Sequence, residues 1–278
     1  MPARAQVAID GAAESGLREG MTERALPFEA IDNFRDYGGY ALANGGRMRM
    51  GRLFRSAHHG AATQKDLELL DALKIGAIID FRGPQERQKA PSRRPQGFAA
   101  MVYEVDGESG RMSDEMTAAF HRATAEEAKA IFAFSYAYLS TTPKMVAAYR
   151  AFFQAAIDID GPSIIHCSAG KDRTGIGAAL MMKALGAHDD DIMADYLLTG
   201  SLGDIARRKQ LNSVKLREML GEELPEHVAH ALAGVSPDFL HGAFNAIGQH
   251  AGGVEGYLRD AMGVDGAWRR KAETLLLE

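Results

Sequence analysis

The sequence predicts an α/β fold: a mostly parallel central sheet flanked by helices in three layers, with an all-helical C-terminal part. Three observations carry that expectation. Short apolar, β-branched runs such as Ala77-Ile78-Ile79 and Ser163-Ile164-Ile165 alternate with helical patterns from residue 52 to residue 186. That order gives parallel strands joined by helices. Two of these runs end in polar residues, Asp80 and His166, and in open α/β sheets ligands gather beyond the strand C-termini. After Gly186 only helical patterns follow, punctuated by Gly and Pro.

Residues 1–25 are small and polar with scattered charge, and read as a loose leader, or a peripheral strand, before one domain over 26–278. Asn44-Gly45-Gly46 is a hairpin turn that lets 40–43 pair with 47–50. Residues 52–56 form a core strand. Thr63 caps a helix carrying Leu67, Leu70 and Leu73 on one face, with Asp66 where a capping-box acid belongs. Gly76 stops it, and the strand 77–79 delivers Asp80. Residues 82–95 read as a Pro- and Gly-rich loop. Its Arg82, Arg87, Lys89, Arg93 and Arg94 against a lone Glu86 make either a basic rim that attracts anions or a solvated linker. A further strand is expected over 98–105.

Residues 107–142 look like an insertion, helical over 113–133 and then rich in aromatic residues. This stretch forms either a mobile helical lid or a helix pair packed statically on the sheet, and the lid is the expectation because Met-bearing helices joined by polar loops can repack. Pro143 starts an amphipathic helix over 143–157, with Met145, Tyr149, Phe152, Phe153 and Ile157 on its apolar side. Asp189-Asp190-Asp191 charge-matches a helix N-terminus, and helices are expected over 202–220, 225–233, 237–249, 254–262 and 266–277 of the helical part, 187–278.

The chemistry concentrates in His166-Cys167-Ser168-Ala169-Gly170-Lys171-Asp172-Arg173-Thr174-Gly175, between the buried strand ending at Ile165 and an apolar helix over 176–185. A tight loop there aims several backbone N–H groups into one concavity, and the helix N-terminus adds partial positive charge. That is a site for a tetrahedral oxyanion, inorganic phosphate included. The same surroundings favour the thiolate, the nucleophilic form of a cysteine. Arg173 adds a planar fork able to hold two phosphate oxygens. Nucleophile, anion cradle and cation together suggest phosphoryl transfer through a covalent intermediate.

Cys167, five residues and then Arg173 resembles the signature loop of the cysteine-dependent protein tyrosine phosphatase superfamily. The fuller string, with Lys171-Asp172 before Arg173, resembles the bacterial tyrosine/serine-type phosphatases, some of which also act on phosphoinositides. Asn33-Phe34-Arg35-Asp36-Tyr37-Gly38-Gly39, Gly51-Arg52-Leu53-Phe54-Arg55-Ser56-Ala57 and Ile79-Asp80-Phe81-Arg82 look like the same group's other landmarks and come in its order. The resemblance implies a dual-specificity protein phosphatase: Cys167 as nucleophile, and Ser168, Ala169, Gly170, Lys171, Asp172 and Arg173 around the phosphate. Thr174 would donate to the sulfur or cap the helix, and His166 would brace the loop. Arg35 and Asp36 would brace the site from behind, although on their own they read as a surface ion pair. Many tyrosine phosphatases carry their general acid on a Trp-bearing mobile loop, but the one Trp here is Trp268. Asp172 and Asp80 remain as acids. Relatives with Lys-Asp here favour Asp172, and Asp80 could instead orient Arg173 or Lys171. Lys171 either selects doubly phosphorylated or inositol-phosphate groups or neutralises Asp172.

The expected substrates are therefore phosphorylated proteins or phosphoinositides, with no metal and no cofactor required. A non-catalytic phosphate-reading module on the same fold is the alternative, and rhodanese-like sulfur transfer a third. With one Cys, no internal disulfide and no Cys-rich zinc site can form. A formal net charge of −5 argues against a general nucleic-acid binder. No apolar run approaches the roughly 18–20 residues of a membrane span, and no secretory signal is visible. A cytoplasmic location is expected, with export lacking a cleavable signal left open.

Overall fold

The computed structural model describes residues 24–107, 114–202, 205–221 and 223–278. The expected leader lies outside these up to residue 23, as does part of the expected insertion, 108–113. Strand β1 (Arg35–Asp36) pairs with β2 (Leu53–Ser56), and helix α1 (Gln64–Ala72) leads to β3 (Ala77–Asp80). A short helix α2 (Pro84–Lys89) precedes β4 (Met101–Glu104). Helices α3 (Asp114–Phe120), α4 (Ala125–Thr141) and α5 (Pro143–Asp158) then lead to β5 (Ser163–His166). The rest is helical: α6 (Asp172–Leu185), α7 (Asp189–Leu198), α8 (Ile205–Leu220), α9 (Glu226–Ala233), α10 (Pro237–Gly248), α11 (Gly253–Asp260) and α12 (Gly266–Leu276).

The five strands lie in the order β1-β2-β5-β3-β4, antiparallel only between β1 and β2. Side chains alternate between two cores, as the period of two along a strand requires. Leu53, Ala77, Ile79 and Ile165 face a large core with Phe152 and Phe153 of α5 and Ile176 and Leu180 of α6. Phe54, Ile78 and Ile164 face a smaller one with Leu67 and Leu70 of α1. The sheet is thus covered on both sides, the expected three layers. Register then positions the chemistry. His166 stands opposite Ser56 on one side and Asp80 on the other, so three strands end at one level and Cys167 emerges there.

Local signals explain most boundaries. Thr63 and Asp66 close a capping box on α1, and Asp66 also accepts from the amides of Glu29 (2.7 Å) and Ala30 (3.0 Å), pinning the incoming chain. Around Gly45 the expected hairpin reduces to a bridge between Ala41 and Arg47. The chain end also uses this segment: Arg47 and Glu278 exchange backbone hydrogen bonds of 2.9 Å each way. Trp268 donates its Nε1 to the Phe153 carbonyl at 3.0 Å, fastening α12 to α5.

Two boundaries differ from expectation. The helical stretch 113–133 breaks at Thr124, whose hydroxyl and Glu127 form a second capping box that starts α4. Within the expected loop 82–95, Pro84 opens α2, because its fixed φ suits a first helical turn. Glu86 accepts from the Gly83 amide at 3.0 Å, the acid half of a capping box. No helix among the described residues is long and apolar enough to cross a membrane.

Candidate active site

The loop after β5 is held from outside by its carbonyl groups. The Ser168 carbonyl accepts from the His58 amide at 3.2 Å. The Gly170 carbonyl accepts from Asn33 Nδ2 at 2.8 Å and Arg55 Nη2 at 3.1 Å. In a trans peptide the N–H points opposite the C=O, so the amides of Ala169 and Lys171 point the other way, into the concavity. The first amides of α6 add to them, because a helix leaves its N-terminal N–H groups unpaired. Gly170 has φ +66°, and a Cβ there would lie 2.5 Å from the Ser56 carbonyl, so only glycine fits this close turn. Cys167 begins the loop at 2 % exposure.

Arg173, on the first turn of α6, is gripped rather than free. Its Nη1 and Nη2 meet the two carboxylate oxygens of Glu86 at 2.6 and 2.8 Å, and Nη1 also donates to the Phe81 carbonyl at 3.0 Å. Ser168 Oγ donates to the same carboxylate at 2.5 Å. Burial opposes the charge on Arg173, but the hydrogen bonds and charge of Glu86, with Cys167 and Asp172 close by, outweigh it. The guanidinium is therefore held more firmly protonated than usual.

Asp80 and Asp172 occupy different settings. Asp80 is buried and bound by Arg82, whose Nε lies 2.9 Å from Oδ1 and whose Nη2 lies 2.7 Å from Oδ2. Burial pushes its carboxyl up, yet His166 and Arg82 together bring it below the ordinary value. His166 is charged only in acid, so near neutrality Arg82 does this. Asp80 thus touches neither Arg173 nor Lys171 among the described hydrogen bonds. Asp172 begins α6 with its side chain 30 % exposed, and its Oδ1 accepts from Tyr136 at 2.5 Å.

Lys171 is sealed in. Its Nζ donates to the carbonyls of Leu232 (2.9 Å) and Gly234 (3.0 Å) at the end of α9, and lies 3.4 Å from Asp172 Oδ1. The rings of Phe132 and Phe239 flank it at 5.8 and 6.0 Å. The arginine-rich stretch is exposed or half-buried over most of its length, but its arginines do not form a free basic rim, because each donates to a protein group. Arg87 donates to the carbonyls of Arg82 and Val105, Arg93 to that of Ala62, and Arg94 to His59. Lys89 lies exposed near Glu218 at 3.5 Å, and Arg93 is exposed as well apart from its bond to Ala62.

Arg35 and Asp36 are buried and not paired with each other. Asp36 accepts from the amides of Gly38 and Gly51. Arg35 Nε meets Asp195 Oδ1 at 3.0 Å, and Arg55 Nη1 meets Asp195 Oδ2 at 2.6 Å. Arg35 also holds Asn33 Oδ1 at 2.5 Å. One buried carboxylate on α7 therefore anchors both donors to Gly170, Arg55 directly and Asn33 through Arg35. Burial would raise the Asp195 carboxyl, but its two arginines bring it below the ordinary range. Thr174 keeps a buried hydroxyl with no hydrogen bond, so it does not cap α6.

Behind the loop, His166 stacks on His59 with ring centroids 4.7 Å apart. Burial brings His166 down to about 4, with Asp80 opposing, and brings His59 well below its ordinary value. Both are thus favoured as neutral imidazoles near pH 7. Its Nδ1 lies 3.4 Å from the Cys167 carbonyl. Because the folded value is depressed for a base, its neutral form stabilises the fold above about pH 6.5, and this is lost as pH falls toward 4. The shift corresponds to about 3 kcal/mol. Chemical denaturation of the wild type should therefore show stability falling across that window, and His166→Gln should flatten the fall. An unchanged slope in the variant would assign the loss elsewhere.

A model of the tyrosine phosphatase family matches residues 26–278. The chain belongs to that family. It is 36% identical over 248 residues to a Cupriavidus necator protein named as a tyrosine-protein phosphatase, covering 88% of this chain and 86% of that one. It is 28% identical to the triple specificity protein phosphatase PtpB of Mycobacterium tuberculosis, over 87% of this chain and 94% of the other. A tyrosine-protein phosphatase of Nostoc commune is 26% identical over 74% of this chain and 67% of its own. The enzyme is thus a phosphomonoester hydrolase of the protein-tyrosine-phosphatase type, as the loop and its flanking motifs implied.

Several residues of this phosphatase's site were not singled out from the sequence: Glu86, Asn33, Arg55, Tyr136, Asp195 and Tyr196. Asn33 and Arg55 stood inside quoted motifs without a role. Asp195 carried a signal that could have been read, a carboxylate on the inward face of a helix beside Ile192 and Tyr196.

Proposed function

We propose that this phosphatase hydrolyses phosphotyrosine in proteins, with phosphoserine/threonine or phosphoinositides as further substrates, through a cysteinyl-phosphate intermediate. The observation that carries the reading is the loop, turned so that its amides face inward, with Cys167 at its base and a guanidinium clamped beside it. The Cys167 thiolate attacks phosphorus, the phosphorus–oxygen bond to the leaving group breaks, and Asp172 gives that oxygen a proton. Water then attacks phosphorus, Asp172 takes back a proton, and the sulfur leaves as thiolate with inorganic phosphate. Arg173 and the loop amides hold the equatorial oxygens, where the transition-state charge gathers. Thr174, whose buried hydroxyl is unpaired, serves the departing sulfur.

Asp172 is chosen over Asp80 because it is partly exposed at the loop, whereas Asp80 is locked to Arg82 and favoured as a carboxylate. The breadth of substrate rests on the relative named for triple specificity, which this chain resembles over most of its length.

The test is a panel of para-nitrophenyl phosphate, phosphopeptides and phosphoinositides on wild type, Cys167→Ser, Asp80→Asn and Asp172→Asn across pH. Cys167→Ser should abolish turnover and still bind phosphopeptide. Asp172→Asn should lose about 10²–10⁴-fold and the basic limb of the profile, the range for a general acid. Asp80→Asn should keep that limb. Turnover surviving in Cys167→Ser would overturn the covalent route.

A further inference from the structure

Asp172 has two carboxylate oxygens in unlike surroundings. Oδ1 accepts from Tyr136 at 2.5 Å and lies 3.4 Å from Lys171 Nζ, while Oδ2 makes none of the described hydrogen bonds. Tyr136 sits on α4 and is fully buried. Its hydroxyl oxygen lies 2.8 Å from that of Tyr196 on α7, also fully buried. The glycine at 175 is what admits the Tyr196 ring, since a Cβ there would meet it at 2.9 Å. The two phenols and the carboxyl therefore form a short chain that starts in the core and ends at the loop.

We propose that Tyr136 is a positioning residue for proton transfer: by holding Oδ1 of Asp172 it leaves Oδ2 to carry the proton to and from the substrate. The inference rests on the reading of Asp172 as the acid and base. The direction of the chain follows from its chemistry. Tyr196 donates to Tyr136, and Tyr136 donates to Asp172. Burial and the neighbouring Asp172 charge raise Tyr136 well above 10, so it remains a donor throughout the enzyme's working range. A hydroxyl donor suits both stages of the reaction. When Asp172 is a carboxylate, Oδ1 accepts as an anion, and when it is protonated on Oδ2, Oδ1 accepts as a carbonyl oxygen. The carboxyl need not rotate between acting as acid and acting as base. Lys171, fixed by the Leu232 and Gly234 carbonyls, adds its charge on the Oδ1 side. Arg173 on α6 and Tyr149 on α5 also lie close enough to feel the Asp172 charge.

The experiment is a series of aryl phosphates whose leaving phenols range from weakly to strongly acidic. An easily departing phenolate such as 2,4-dinitrophenolate needs little protonation, whereas phenolate itself needs it fully. Tyr136→Phe should lower kcat/KM for phenyl phosphate by about 10–100-fold, the cost of a misplaced catalytic group, and for 2,4-dinitrophenyl phosphate by less than about threefold. Tyr196→Phe should show the same trend more weakly. Asp172→Asn with Tyr136→Phe should lose little beyond Asp172→Asn alone, because groups acting as one unit are not additive. Vanadate inhibition should be unchanged in Tyr136→Phe. An equal loss on every leaving group, a multiplicative double variant or lost vanadate binding would reduce Tyr136 to a packing residue and overturn the proposal. If Asp172→Asn is itself insensitive to the leaving group, the acid assignment falls and takes the proposal with it. If Asp172→Asn is sensitive and Tyr136→Phe is not, the proposal alone falls.

Discussion

Arg173→Lys should lower kcat on aryl phosphates by about 10²–10³-fold, the usual cost of losing a donor aimed at transition-state charge. The guanidinium is not merely a positive charge near phosphate. Glu86 holds Nη1 and Nη2 from behind, and the Phe81 carbonyl fixes Nη1 as well, so the planar group keeps one orientation before substrate arrives. A lysine ammonium is a compact point charge on a flexible stem. It can satisfy part of the Glu86 carboxylate or part of a phosphate, but it cannot present two parallel donors. Steady-state kinetics with para-nitrophenyl phosphate would read the loss, and circular dichroism would show that the fold persists. Glu86→Gln should cost less, about tenfold, because Arg173 then keeps its charge with a looser grip. A Lys variant within tenfold of wild type would mean that the fork does not hold the reacting oxygens.

Asp195→Asn should destabilise the protein by about 3–5 kcal/mol, the range for breaking a buried ion pair. The reason is the two charges left behind. Arg35 and Arg55 are both buried, and Asp195 is the carboxylate between them. Burial, with Arg55 beside it, already brings the Arg35 guanidinium down to about 10, and removing the counter-charge exposes that repulsion fully. A protein of this size should melt on the order of 10 °C lower. The same change should weaken inorganic phosphate binding, because Arg55 and Asn33 would hold the Gly170 carbonyl less firmly. Differential scanning calorimetry and phosphate titration read the two effects separately. Loss of stability without loss of phosphate affinity would show that the arginine cluster supports the core and not the loop.

What could be read in advance followed local rules. The loop 166–175 declared itself because a single Cys, a spaced Arg, and glycines between a strand and a helix are a sequential pattern. Thr63 with Asp66, and Pro143, marked helix starts by the same short-range logic. Glu86 was missed because Gly83-Pro84 reads as loop punctuation, and only the folded backbone made Pro84 a first helical turn. The basic appearance of 82–95 misled for a related reason, since charge in a sequence does not say whether it meets water or a carbonyl group.

By itself the sequence determined most of the order of strands and helices and marked the phosphate-type loop with its candidate nucleophile, because each is written in neighbouring residues. Only the tertiary structure decided what stands behind them. Glu86 on Arg173, Asp195 between two arginines and Tyr136 on Asp172 join residues 36 to 160 positions apart in the chain. Such pairings come from the sheet order and helix packing, which bring distant residues into the short range where hydrogen bonds and buried charges act.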